Sequence, residues 1–195
     1  VVGAVSGLDE NDSGIATASK LLAGENHIGE GGGKLIFGPD NFDAPAAGDY
    51  AANDVIAADA NTTATTPLRG IEVARVAGGA GYLVAARVTN EVAAWAAGVR
   101  LDLYTVAQPT TALTGDNVAA APKFANDGQF IGSIEFPILA TPTGSDLRRS
   151  QRDDIRIPFK CAVADTKVYY RLVTLAAEAN ETAGMQWNVL LGAEA

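Results

Sequence analysis

The sequence predicts an all-β fold: an antiparallel β-sandwich or jelly-roll-like body, preceded by an extended N-terminal arm containing a short helix. Two observations carry this. About eight or nine short segments alternate apolar and polar residues with a period of two, separated by Gly, Pro, Asn and Asp, and no long helical pattern intervenes. Residues 1–45, by contrast, hold Gly3, Gly7, Gly14, Gly24, Gly29 and the run Gly31-Gly32-Gly33, with little alternation. The chain therefore divides into an arm over 1–45, too glycine-rich to bury a core by itself, and a sandwich body over 46–195.

In the arm, Asp12 or Ser13 is placed to cap a short helix reaching about Leu22, with Gly24 as its stop. Residues 34–37 follow as a short strand ended by Gly38-Pro39-Asp40. The body begins with a weak strand around Val55 and Ile56. Its spine is 68–106, expected to hold three strands. The first, 69–76, meets the second, 82–89, through Gly78-Gly79-Ala80-Gly81, which reads as a hairpin turn that sets register. The third alternates Val99, Leu101 and Leu103 with Arg100 and Asp102, giving one buried and one wet face.

Between the second and third, residues 90–98 form a bulged loop or a single helical turn carrying Trp95. A loop over 108–117 leads to a helical turn over 117–124. Residues 129–137 then make a strand with Phe130, Ile134 and Phe136 on one face, Ser133 and Glu135 on the other. A polar loop over 141–154 carries Arg148, Arg149, Arg152, Asp153 and Asp154. After it, Ile155, Ile157, Phe159, Cys161 and Val163 alternate with Arg156 and Lys160. Strands at 167–175 and 185–191 complete the set; in the last, Met185, Trp187, Val189 and Leu191 face inward.

Composition narrows the function. A net charge of −9 argues against nucleic-acid binding, which needs clustered Lys and Arg to neutralise phosphates. One cysteine, Cys161, permits no internal disulfide, and it lies on an inward strand face as an inert core thiol. No apolar run of about 18 residues is present, so no transmembrane helix is expected. The first ten residues lack the basic start and apolar core of a secretory signal.

Each chemical motif fails on a specific residue. In Gly29-Glu30-Gly31-Gly32-Gly33-Lys34, a phosphate loop would need Ser or Thr after the lysine, where Leu35 stands. From Asp9 to Gly14 the pattern resembles a calcium loop, yet its closing twelfth position is Lys20, a cation. His27 is the one histidine and has no Gly-x-Ser-x-Gly nucleophile to serve. Asp153 and Asp154 are adjacent, so a strand would point them to opposite faces. Trp95 and Trp187 are too few for a sugar-stacking platform. Neither catalysis, cofactor nor metal is expected.

The order of the body's motifs resembles the head decoration, or capsid cement, proteins of tailed bacteriophages. Residues 50–57 match a "Y-x-A-x-D-V-I-A" opening, 75–88 an "ARVAGG-x-G-x-L-x-x-ARV" segment and 100–104 an "R-L-x-L-Y" strand. Residues 109–117, 130–136 and 169–174 follow as "P-T-x-x-x-x-x-D-N", "F-I-G-x-I-x-F" and "Y-x-R-L-x-T". The resemblance covers about 43–192 and leaves the arm unmatched. It implies a non-enzymatic protein of the virion exterior that binds the major capsid protein and stabilises the shell. A cyclic homotrimer would suit the local threefold positions of such a shell. A tail or baseplate component and a carbohydrate-binding sandwich or adhesin are the alternatives. The contact residues expected are Ile28, Leu35, Ile36 and Phe37 of the arm, and Arg148, Arg149 and Arg152 of the charged loop.

Overall fold

Among the described residues of the computed structural model, ten strands form two five-stranded antiparallel sheets. The structure describes residues 35–45, 48–58, 68–109, 111, 113–121, 124–137, 139–141, 146–179 and 184–195. Ile28, His27, the capped helix, the glycine run and the calcium-like segment lie outside these residues.

The first sheet contains β1 (Leu35–Ala44), β10 (Met185–Glu194) and β4 (Ala80–Asn90), in that order. β7 (Arg148–Arg152) and β8 (Ile157–Lys160) both pair with the far side of β4, one after the other. In the second sheet, β2 (Val55–Ile56) and β3 (Arg69–Glu72) both pair with β9 (Lys167–Thr174). That strand pairs in turn with β5 (Val99–Tyr104), and β5 with β6 (Phe130–Phe136). A 3-10 helix, Phe124–Gln129, runs into β6.

Period-two alternation explains the core. Val99, Leu101 and Leu103 of β5 face Val168, Tyr170 and Leu172 of β9 and the inward residues of β10, all buried. Trp95 and Trp187 meet edge to face at the centre, ring centroids 5.0 Å apart and planes at 90°, and Tyr50 packs on Trp95 at 6.0 Å. Such pairs contribute about 0.5–1.5 kcal/mol beyond their buried area. Trp95 sits on the 90–98 loop, where its backbone N–H closes a turn onto the Val92 carbonyl and its indole N–H donates to the Ala97 carbonyl.

Several expectations are corrected. The 68–106 spine is not a run of neighbouring strands: β3 and β5 lie in the second sheet and β4 in the first. The glycine segment is thus a crossover between sheets and not a hairpin, although Gly78 does take a positive φ of 72°. The strand expected over 69–76 ends at Glu72; Val73 and Ala74 bond instead to the Thr166 carbonyl. The strand at 34–37 continues through Pro39, tolerated on an edge, and pairs with β10 over ten residues. Leu35–Ala195 forms one compact unit, which starts eleven residues before the expected body. The helical turn expected over 117–124 gives way to the 3-10 helix at Phe124–Gln129. The polar loop at 141–154 contains β7, a strand in its own right. The two-faced strand expected from Ile155 is β8 alone, and Val163 lies in a turn, 88% exposed.

A charged basin on the second sheet

The outward face of the second sheet is paved with charge. Arg171 of β9, Asp102 of β5 and Ser133 of β6 stand side by side in register, and Arg100 stands opposite Glu135. Arg100 and Asp102, two residues apart on one strand, share a face. These residues, with Tyr104, Asn126, Asp127 and Phe130, line an open basin of about 310 Å³.

Its floor is an ion triad. The Arg100 Nε donates to Asp102 Oδ1 at 2.7 Å and the Arg171 Nε donates to Asp102 Oδ2 at 3.1 Å. The Arg171 side chain is fully covered and that of Asp102 nearly so. Burying two cations and one anion this way is tolerable because each guanidinium shares the carboxylate and planar forks suit it geometrically. Asp102 is therefore not on a wet face as the alternation suggested: it is 4% exposed, held between Arg100 and Arg171.

Arg171 remains short of partners. Its Nη2 lies 3.1 Å from Asp102 Oδ2, near enough for attraction but outside hydrogen-bond alignment, and Nη1 has no hydrogen-bond partner among the described residues. Its guanidinium carbon lies 5.9 Å from the Tyr104 ring centroid. Burial, chiefly, raises the Tyr104 hydroxyl pKa above its ordinary value, so the ring keeps a neutral phenol over the usual pH range.

The wall above is held by Asn126, whose amide clasps Thr111 in both directions: the Thr111 N–H donates to Oδ1 at 2.7 Å and Nδ2 donates to the Thr111 carbonyl at 2.8 Å. Asp127 follows it in the 3-10 helix. Phe130 lines the basin because of a bulge. Between the pairs Leu103–Gly132 and Tyr104–Phe130 the register shifts by one residue, and Gly132 takes φ 153°, a conformation that a side chain would resist. Phe130 was expected on the core face beside Ile134 and Phe136; the extra residue turns it outward. There it meets Tyr104 edge to face at 5.5 Å and stays 40% exposed.

The residues singled out from sequence lie elsewhere. Leu35 and Phe37 are exposed on β1, and Ile36 is half-buried between them. Arg148, Arg149 and Arg152 are on β7, at the opposite edge of the first sheet, so the structure does not bring the two groups together. Arg148 is structural: its Nε donates to the Ala93 carbonyl at 2.6 Å and Nη1 to that of Leu139. Arg149 forms a backbone bridge to Ala140. Arg152 pairs with Asp154 at 3.0 Å and reaches the Glu135 carbonyl, which ties β7 to the basin's outer strand. Cys161 is buried, and burial above all, with Asp165 nearby, pushes its thiol up to about 11. Trp95 and Trp187 are core residues.

No family model and no curated protein matches the chain. Among solved structures, a chain from a full particle of Israeli acute paralysis virus heated to 63 degrees is similar at a TM-score of 0.31 and 7% identity. The match covers 83% of this chain and 71% of that one. A likeness at that level carries no argument about function.

Proposed function

We propose that this chain is a structural virion protein, a decoration protein that binds the outer face of a phage capsid and strengthens the shell. The observation that carries the reading is β1. The strand that directly follows residues 1–34 is stitched to β10 along all ten of its residues and presents Leu35 and Phe37 to solvent. An extension rooted this way transmits a pull into the sheet, as a cement protein requires, and adds an apolar edge for contact. The motif order over 50–174 supports the same reading. The protein acts by contact, on the major capsid protein and on copies of itself, and not by catalysis.

The test is made on particles. Gold-labelled antibody against the protein is expected on the head, and particles lacking it should disrupt at a lower temperature. Deleting residues 1–34, which leaves β1 intact, is expected to weaken binding to empty capsids while the body keeps its far-UV spectrum. Label confined to the tail, or equal disruption temperatures, would overturn the proposal.

A further inference from the structure

The outward face of the first sheet has two halves of different chemistry. Along the register, Leu35 stands in line with Glu194 and Tyr82, Phe37 with Gly192 and Ala85, and Pro39 with Leu190 and Arg87. Leu35, Phe37 and Tyr82 are 47%, 54% and 40% exposed, so the β1 side is an apolar strip left in water. The Phe37 ring is spread over Gly192, where a Cβ would stand 2.9 Å from its Cε1. The β7 and β8 side is cationic. Outward positions of β4, β7 and β8 hold Arg87, Arg149 and Lys160 and no carboxylate, and the Arg156 guanidinium carbon lies 4.6 Å from the Tyr82 ring centroid. The carboxylates that border this half are engaged: Gln151 Nε2 donates to both oxygens of Asp153, and Glu91 Oε1 accepts from the Gln186 N–H. Such a gathering of cations stands out in a chain of 14 basic and 23 acidic residues.

The occupant that fits this face carries an apolar block followed by an acidic one, and the chain itself contains such a segment. Residues 1–12, which lie outside the described residues, hold Val1, Val2, Val5 and Leu8 and then Asp9, Glu10 and Asp12, with no cation before Lys20. We propose that residues 1–12 of one copy dock on the first-sheet face of another, the valines and Leu8 on the apolar strip and the carboxylates on the cationic half. The dimensions agree. From Val5 to Glu10 an extended chain covers about 17 Å, and three strand spacings from β1 to β7 make about 14 Å. Residues 13–34 can span up to about 70 Å, against a body about 40 Å across, so the segment reaches a neighbour. Two such faces stacked on each other would set cations against cations or against the apolar strip, so the face does not suit pairing with itself. The contact is head to tail, and it closes into a ring or continues from copy to copy. It deepens the virion reading and rests on it for the crowding of copies on a shell. Its test is made in solution, so a failure here is distinct from label found on the tail.

The experiment is a charge swap on the full chain, read by sedimentation velocity. The parent is expected to self-associate with a Kd of about 100 µM or tighter. One variant carries Asp9→Lys with Asp12→Lys, the other Arg149→Glu with Lys160→Glu, and both face residues are exposed. Each variant alone is expected to associate about tenfold or more weakly, because its segment and face then carry the same sign. An equimolar mixture of the two is expected to regain association, since the cationic segment of the first meets the acidic face of the second. That recovery also shows that both variants are folded. Phe37→Ser should weaken the parent's association without changing its far-UV spectrum. A parent that stays monomeric at about 500 µM overturns the proposal. So does association that ignores both charge variants, and so does a mixture no better associated than its components.

Discussion

Asp116 makes the fold sensitive to pH in the direction opposite to most carboxylates. Its Oδ1 accepts from the Ala57 N–H at 2.8 Å and from the Tyr50 hydroxyl at 3.0 Å, while Oδ2 is buried with no hydrogen-bond partner among the described residues. Burial is the main cause that lifts its pKa from 3.8 to about 6, with the nearby Asp54 adding to it and the hydrogen bonds opposing it. The folded state thus binds this proton more tightly than the unfolded chain. Its stabilising effect is complete below about 4 and is lost as pH rises through about 6.

The full shift corresponds to about 3 kcal/mol, and partial screening by solvent reduces that to about 1–2 kcal/mol. Asp116→Asn keeps an acceptor for both donors and removes the charge. The variant is expected to match the parent near pH 4 and to exceed its stability by about 1–2 kcal/mol at pH 8. Urea unfolding at several pH values, followed by the fluorescence of Trp95 and Trp187, measures this. Parallel stability curves for the two proteins, or a variant less stable at pH 8, would refute the reasoning.

Two further substitutions test the packing. A Cβ at Gly98 would stand 2.3 Å from the Pro137 carbonyl oxygen, so Gly98→Ala should force β5 from β6 and cost about 1–3 kcal/mol, read as a lower urea midpoint at unchanged slope. Trp95→Ala empties the contact between Tyr50 and Trp187 and is expected to cost about 3–5 kcal/mol in the same assay.

What the sequence disclosed follows its physics. Alternation in 99–104 and 185–191 marked the inward residues correctly because those strands obey period two without interruption. The same alternation could not reveal which sheet a strand joins. β3 and β4, with seven residues between them, belong to different sheets: Val73 and Ala74 still bond to Thr166 beside β9 before the chain crosses to the first sheet. Phe130 was misassigned because a bulge reverses alternation at a single residue, and its one local signal was Gly132. The basin stayed hidden for a related reason. Arg100 and Asp102 read as solvated when taken alone, and their burial depends on Arg171, 69 residues beyond Asp102. A hint did exist: Arg171 interrupts an otherwise apolar stretch, Tyr170 before it and Leu172 after, and an arginine so placed must find a carboxylate.

The register of β1 on β10 has a mechanical consequence. Leu35 lies opposite Glu194, and Ala44 opposite Met185, so the ladder's first rung is at the end where residue 34 joins it. A load applied between residue 34 and the opposite end of the sheet, where Asn90 pairs with Trp187, draws β1 along its own axis. All its rungs then share the strain and must fail together. A load applied between residue 34 and the C-terminal end instead peels the pair apart one rung at a time. The sheet is therefore strong along one axis and weak along another, and the direction of the load decides which of these it meets.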